Sequence, residues 1–221
     1  MKKLFLCALL ASSVASVAAA DAIEIVSAGA TTITGSGSGI TTPVSINGWN
    51  ITTVTGVSSS PGLSPFGLEL AVDATCASGA CLTTPLDVFY SDTGFTASVS
   101  AGDFQTTYSG TLTGSGTTRA ITWADSTDTL FGGGIPPLGT DHLGTVGPFG
   151  SPFGGGTTSG GPAETGTYSL TIEEVFTAGA SGSSSFGTDA NVTATPEPSS
   201  LLLLLSGLVG LGFMKWKVFQ S

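Results

Sequence analysis

Apolar and polar residues alternate along much of this chain, and a period of two is the pattern of β-strands whose two faces differ in polarity. In residues 66–73, every second residue from Phe66 to Val72 is apolar, whereas Glu69 and Asp73 fall on the opposite face. Alternation or strand-forming composition recurs in residues 23–26, 44–57, 86–90, 96–99, 104–112, 121–123, 129–131, 168–176 and 184–192. About eight to ten short strands with turn residues between them predict an all-β fold, an antiparallel β-sandwich. A β-solenoid is the alternative, although the chain has no fixed internal repeat.

The strand pattern changes phase at a pair of adjacent glutamates. Residues 168–176 alternate through Ile172 and then reach Glu173 and Glu174. If the period continued, Glu174 would face the core and Val175 would face the solvent. A β-bulge at Glu173–Glu174 would restore the apolar register, and we therefore predict one there.

Residues 132–162 differ in composition from the rest of the chain. They contain 12 glycines and five prolines among 31 residues. Such a composition buries little surface, which predicts a long Gly/Pro-rich loop. The alternative is a loop that carries a binding site, because long loops often do. Its candidate residues are Asp141, His142, Phe149 and Phe153.

Two cysteines lie close together in the chain. Cys76 and Cys81 enclose four small residues, and in an exported protein this spacing favours a disulfide at the tip of a hairpin. His142 is the only histidine and no second cysteine pair is present, which argues against a metal site at these cysteines. The loop is short, so the disulfide should act as a local clip.

The charge is distributed unevenly. Of the 15 acidic residues, only Glu197 lies outside residues 21–195, and of the five basic residues only Arg119 lies inside them. This segment therefore carries 14 acids and one base. An acidic surface of this kind repels phosphate backbones and argues against nucleic-acid binding.

The N-terminus has the arrangement of a cleavable secretory signal. Lys2 and Lys3 precede an apolar run at residues 4–11, and small residues lead to Ala20. We predict a signal peptide over residues 1–20 that is cleaved after Ala20, with Ala22 as the alternative.

The C-terminus carries three ordered features. The prolines of a Pro-Glu-Pro joint cannot continue a helix, so an extended and accessible segment is expected there. The uncharged run that follows predicts a single transmembrane helix, whose flanking lysines should stay cytoplasmic. In order, the features are Pro196, Glu197 and Pro198, the helix at about residues 199–214, and the basic tail 215–217 with Lys215 and Lys217.

This order of features resembles the PEP-CTERM sorting signal of exported bacterial proteins, a tail also known as an ice-binding protein C-terminal domain. The resemblance covers residues 196–221 and implies processing by a membrane protease-transpeptidase called exosortase. It also implies export as an inner-membrane-anchored precursor, followed by delivery to the cell envelope or the extracellular space. The chain is thus divided into a signal peptide (1–20), an acidic β-sandwich ectodomain (21–195) and a sorting and anchor segment (196–221).

The ectodomain shows no pattern of residues typical of catalysis. A Gly-x-Ser-x-Gly match at Ser36 has polar flanks, which do not predict the strand-turn-helix context of a nucleophile elbow. We therefore predict no enzyme activity and no cofactor. The expected function is that of a non-catalytic envelope or matrix protein, with exosortase, the export machinery, the membrane and exopolysaccharide as partners. The alternative is a carbohydrate-binding or carbohydrate-active module with Trp49, Trp123 and Tyr90 as stacking platforms, each of which is at least as well suited to the core.

Overall fold

The computed structural model describes residues 21–27, 30–36, 39–40, 43–60, 66–134, 141–180 and 183–194. The predicted signal peptide, the Pro-Glu-Pro joint and the predicted transmembrane helix lie outside these ranges. Within the described part of the chain, no helix has the length and apolar character needed to cross a membrane.

The described residues form thirteen strands and two short 3-10 turns. The turns are Gly79–Leu82 and Leu130–Gly133. The strands predicted at residues 96–99 and 129–131 are wrong, because Val99 forms only an isolated bridge with Glu164 and Leu130 begins the second turn. The strands are β1 (Asp21–Ser27), β2 (Ala30–Ser36), β3 (Gly39–Ile40), β4 (Val44–Ile46), β5 (Trp49–Ser58), β6 (Phe66–Cys76), β7 (Leu86–Phe95), β8 (Phe104–Thr113), β9 (Gly116–Asp125), β10 (Asp141–Phe149), β11 (Gly155–Gly160), β12 (Tyr168–Ala178) and β13 (Ser184–Ala194).

The strands build two sheets in which neighbouring strands are antiparallel. The six-stranded sheet has the order β10-β9-β12-β7-β1-β2. The seven-stranded sheet has the order β11-β8-β13-β6-β5-β3, with β4 paired to β5. The predicted antiparallel β-sandwich is confirmed.

The core lies between the sheets and is built by the inward residues of each alternating strand. Trp49 and Phe186 of the seven-stranded sheet contact one another at a ring-centroid distance of 5.8 Å. Phe186 in turn contacts Phe176 of the six-stranded sheet at 5.2 Å. Near the other end of the sandwich, Phe104 and Tyr168 join the two sheets edge to face. The period-two pattern of the sequence therefore corresponds to the inner and outer faces of the sheets.

The predicted β-bulge at Glu173–Glu174 is wrong. The pairing of β12 with β9 runs without a shift from Ser169 to Ala178. Against β7, the register shifts only between Tyr168 and Leu170. Glu174 therefore faces the core and is fully buried. The core accommodates this carboxyl through polar side chains from neighbouring strands.

The Gly/Pro-rich segment 132–162 is not one long loop, because β10 and β11 lie within it. These strands are at corresponding edges of the two sheets, and β10 packs against β11. A Cβ atom on Gly144 would lie 2.5 Å from the Thr158 side chain, and one on Gly160 would lie 2.5 Å from the Leu143 carbonyl oxygen. Glycines are therefore needed where the two edge strands approach closely.

The predicted disulfide is present. Cys76 at the end of β6 is bonded to Cys81 in the 3-10 turn, with a Cα–Cα distance of 5.8 Å. Both cysteines are buried. The bond holds the turn against the end of the seven-stranded sheet, as expected for a local clip.

Candidate functional site

The described chain begins and ends at the same end of the sandwich. The last paired residue of β13, Ala194, is opposite Phe104, and the Phe104 ring packs against Tyr168. Asp21 at the start of β1 pairs with Asp92, which belongs to the same end of the six-stranded sheet as Tyr168. The two segments that the sequence assigns to export, before residue 21 and after residue 195, are therefore attached at one end of the domain.

A groove of about 980 Å³ lies on the outer face of the six-stranded sheet. The 3-10 turn Leu130–Gly133 forms one wall of it. This turn is held over the sheet because the Phe131 backbone N–H donates to Ser91 Oγ at 3.0 Å. Just before the turn, Ser169 Oγ donates to the Thr129 carbonyl oxygen at 2.7 Å. Pro85 and Pro148 complete the rim.

Charged and apolar side chains alternate on the floor of the groove. One row across the sheet contains Glu24, Phe89 and Glu173, in β1, β7 and β12 respectively. The next row contains Val26, Asp87, Val175 and Arg119. The antiparallel register therefore brings three carboxyl groups and the one arginine of the ectodomain to a common surface.

The acids of the groove are electrostatically perturbed. Burial, followed by the charge of Asp87, raises the pKa of Glu173 to about 7, and Arg119 opposes this shift. Burial also raises the pKa of Asp87, where Arg119 opposes the shift, and burial raises the pKa of Glu24. A group titrating near neutral pH in a concave site is typical of a binding site.

A second polar cluster lies inside the core. Tyr108 donates from its hydroxyl toward Glu174 Oε2 at 3.4 Å, and Thr188 Oγ1 also hydrogen-bonds this oxygen. Thr188 Oγ1 lies 3.2 Å from the Val72 carbonyl oxygen as well. A hydroxyl has a single proton, so Thr188 can donate to only one of these oxygens. A protonated Glu174 would supply the missing hydrogen.

Burial raises the pKa of Glu174 well above its usual value, and the hydrogen bonds from Thr188 and Tyr108 offset only a part of this effect. The charge of Asp189 raises it further. The other carboxyl oxygen of Glu174, Oε1, is buried without a hydrogen-bond partner. The structure therefore favours the neutral acid at this position.

The three aromatics proposed as sugar-stacking platforms are not on one surface. Trp49 and Tyr90 are buried in the core, both with 0% of their surface exposed. Trp123 is half-buried and contacts the His142 ring at a centroid distance of 6.3 Å. Two of the three proposed platforms are therefore core residues.

Residues 125–128 form a turn after β9, in which the Asp128 backbone N–H donates to the Asp125 carbonyl oxygen at 3.0 Å. The Thr127 backbone N–H donates to Asp125 Oδ1 at 3.0 Å, which is the geometry of an Asx turn. Across the described ranges, no group of three or more His, Cys, Asp or Glu side chains is arranged to hold a metal ion.

Residues 194–216 match the family model described as the PEP-CTERM protein-sorting motif. The chain carries a PEP-CTERM sorting motif. The match begins at Ala194, the last residue of β13, and includes the Pro-Glu-Pro joint and Lys215. Lys217 follows directly after it. The PEP-CTERM motif marks the chain as an exported precursor that is anchored in a membrane and sorted through exosortase.

The match to the PEP-CTERM motif covers the tail and leaves the type of the ectodomain uncharacterised. No curated protein matches the chain. A solved structure of infectious bursal disease virus, Gx strain, is 12% identical, with 80% of this chain and 52% of that chain covered and a TM-score of 0.28. The chain thus spans about half the length of that viral chain.

The sorting residues can be identified from the sequence, but the groove cannot. Glu24, Asp87 and Arg119 occupy outward positions of strands that are far apart in sequence. The available signal was their place in the alternation, which puts each on the polar face of its strand. Their convergence depends on the strand order, which alternation does not reveal.

Proposed function

We propose that this protein is a non-catalytic component of the cell envelope or extracellular matrix, which exosortase processes at the Pro-Glu-Pro joint. The observation that carries the proposal is the sorting motif at residues 194–216, which starts where β13 ends. A paired strand up to Ala194 keeps the folded domain intact when the chain is cut after it. Exopolysaccharide is the proposed matrix partner, and the acidic surface favours solubility outside the cell.

The surroundings of the only histidine support a non-catalytic role. His142 Nε2 hydrogen-bonds Thr145 Oγ1 at 2.9 Å, and the ring contacts Trp123. No serine or cysteine of the described chain is hydrogen-bonded to His142. Nucleophilic hydrolysis by a Ser-His or Cys-His pair would require such a contact.

Processing is tested by mass spectrometry of the protein from cells with and without exosortase. We expect the protein from cells with exosortase to lack residues 201–221 and the protein from cells without it to retain them. Retention of these residues in both strains would reject the sorting role. A second expected product is a mature N-terminus at Asp21, since cleavage after Ala20 leaves β1 complete.

Before processing, the apolar run should hold the precursor in the membrane. Leu204→Arg should release it, because a charge at the centre of a transmembrane helix costs about 2.5–3.5 kcal/mol on the insertion scale. Fractionation of cells that lack exosortase measures the membrane-bound share of the precursor. Leu204→Ala is the matched control and should stay in the membrane fraction. If Leu204→Arg stays there too, the run is not the anchor.

A carbohydrate-binding module is the alternative function. Trp123, which lies on the outer face of β9, is the remaining platform for sugar stacking, because Trp49 and Tyr90 belong to the core. Loss of oligosaccharide binding in Trp123→Ala would favour this alternative.

A further inference from the structure

The groove on the outer face of the six-stranded sheet has features that export does not require. It is concave, and three strands contribute a carboxyl group to it while a fourth contributes Arg119. If all four groups are ionised, the acids outnumber the base by two. Adjacent strands are about 4.8 Å apart, so the backbones of Asp87 and Arg119, which are separated by β12, are about 10 Å apart across the row. With a single positive charge, Arg119 cannot neutralise three ionised carboxyl groups at once.

Glu173 is the most informative of these groups. Its side chain is only 8% exposed, and what remains exposed opens into the groove. In the described part of the chain, no hydrogen bond reaches its carboxyl group. The carboxyl group of a nine-tenths buried glutamate usually has hydrogen-bond partners. Without such a partner in the described part of the chain, the carboxyl group of Glu173 is available to a ligand.

The walls of the groove determine the shape of a suitable ligand. Phe131 provides aromatic surface, and Val26, Pro85 and Pro148 provide aliphatic surface, whereas Phe89 and Val175 on the floor of the groove are almost fully buried. A small inorganic ion would leave this apolar surface unused. An apolar stem several carbons long would cover it and release its water.

The charge of the whole domain determines the sign of the ligand. The ectodomain has 14 acids and one base, so an anion would be repelled both from a distance and within the groove. A neutral ligand would leave the net negative charge of the groove unpaired. A cation is attracted both by the charge of the whole domain and by the carboxyl groups in the groove.

We propose that this groove binds an organic cation, a protonated amine or guanidinium on an apolar stem, with Glu173 and Asp87 as its counter-ions. The stem lies against Phe131 and the proline rim of the groove, and Glu24 is separated from Glu173 by Phe89. This site is independent of the sorting role, because none of its residues belongs to the tail.

Binding should be linked to the protonation of Glu173. The charged groups that face Glu173 are Glu24 from β1, Asp87 from β7 and Arg119 from β9. A cation stabilises the ionised carboxylate, so binding should displace the proton from Glu173. Because the pKa of Glu173 in the protein without ligand is about 7, the affinity for the cation should rise between pH 6 and pH 8 and then level off.

The test uses the full-length protein in nanodiscs of zwitterionic lipid and saturation-transfer NMR. The probes are Nα-acetyl-lysine methylamide and its uncharged counterpart Nα-acetyl-norleucine methylamide. n-Butylamine separates a free amine from an amino-acid side chain, and cellobiose represents a neutral sugar. We expect the lysine derivative to bind and the norleucine derivative to bind at least about tenfold more weakly, the loss expected for one charge-assisted hydrogen bond.

Three variants assign the binding to the groove. Glu173→Gln keeps the size of the side chain and should weaken binding of the lysine derivative about tenfold. Arg119→Gln removes the competing cation and should strengthen binding of the lysine derivative. Glu69→Gln is the control, because Glu69 lies on the opposite sheet and its loss should leave the affinity unchanged. A thermal melt of each variant confirms folding.

Each outcome is decisive. Charge-selective binding that Glu173→Gln weakens supports the proposal. If n-butylamine then binds as tightly as the lysine derivative, the site is assigned to free amines. If n-butylamine binds more weakly than the lysine derivative, the site is assigned to basic side chains. Equal binding of the norleucine derivative, binding unaffected by Glu173→Gln, cellobiose binding that depends on Glu173, or no binding of any probe would each overturn it.

Discussion

The free energy of unfolding of a fragment spanning residues 21–194 should fall as the pH rises from 5 to 7, and Glu174→Gln should remove about 1.4 kcal/mol per pH unit of this slope. The folded protein holds the proton on Glu174 because the raised pKa keeps it bound, whereas the unfolded chain releases it above its ordinary pKa. The unfolded state then binds fewer protons than the folded state. Stability from this group is therefore complete at low pH and is lost as the pH rises toward the folded-state pKa.

Urea unfolding at several pH values measures this slope. Glu173→Gln is the comparison, since the pKa of Glu173 is raised only to about 7 and its effect should end near that pH. Glu174→Gln keeps the shape of the buried side chain and cannot ionise. At pH 7 the free energy of unfolding of this variant should therefore be higher than that of the parent fragment. Identical slopes for the parent fragment and Glu174→Gln would show that Glu174 ionises in the folded protein without cost.

Trp49→Ala should destabilise the same fragment by about 3–5 kcal/mol, the usual cost of truncating a large aromatic in a core. Trp49 is fully buried, packs against Phe186 and donates its indole N–H to the Thr84 carbonyl oxygen at 3.0 Å. The substitution removes this packing and leaves the carbonyl without its donor. Urea unfolding followed by far-UV circular dichroism measures the change without relying on tryptophan fluorescence.

Trp123→Ala is the matched control for this substitution. Trp123 lies on the outer face of β9 and is half-buried, so its truncation should cost about 1 kcal/mol or less. Similar losses for the two variants would contradict the assignment of Trp49 to the core and Trp123 to the surface.

The strand pattern was accessible from the sequence because each strand alternates by itself. Residues 66–73 predict the inner and outer faces of β6, and the structure buries Leu68, Leu70 and Val72 while Asp73 is exposed. The disulfide was accessible for a similar reason, because Cys76 and Cys81 are close in sequence. Local patterns therefore predicted local structure.

The predicted bulge shows the limit of this reasoning. Alternation correctly places Glu174 inside, but the expectation that a carboxyl cannot be buried led to the wrong register. Whether it can be buried depends on Tyr108 of β8 and Thr188 of β13, which provide its hydrogen bonds from the facing sheet. These contacts are set by the packing of the two sheets.

The Gly/Pro-rich segment shows a second limit. Its glycines resemble those of a loop, but Gly144 and Gly160 lie where β10 and β11 approach each other closely. The composition of a segment does not distinguish glycine used for flexibility from glycine used for close packing.

The sequence by itself determined the sorting motif, the acidic charge of the ectodomain, the disulfide and the all-β class, because each depends on neighbouring residues or on composition. Only the tertiary structure decided that Glu174 is buried in surroundings that favour its protonated form, and that the groove exists. Both require residues from strands that are distant in sequence. The order β9-β12-β7-β1 places Arg119, Glu173, Asp87 and Glu24 on one surface, and no local pattern encodes that order.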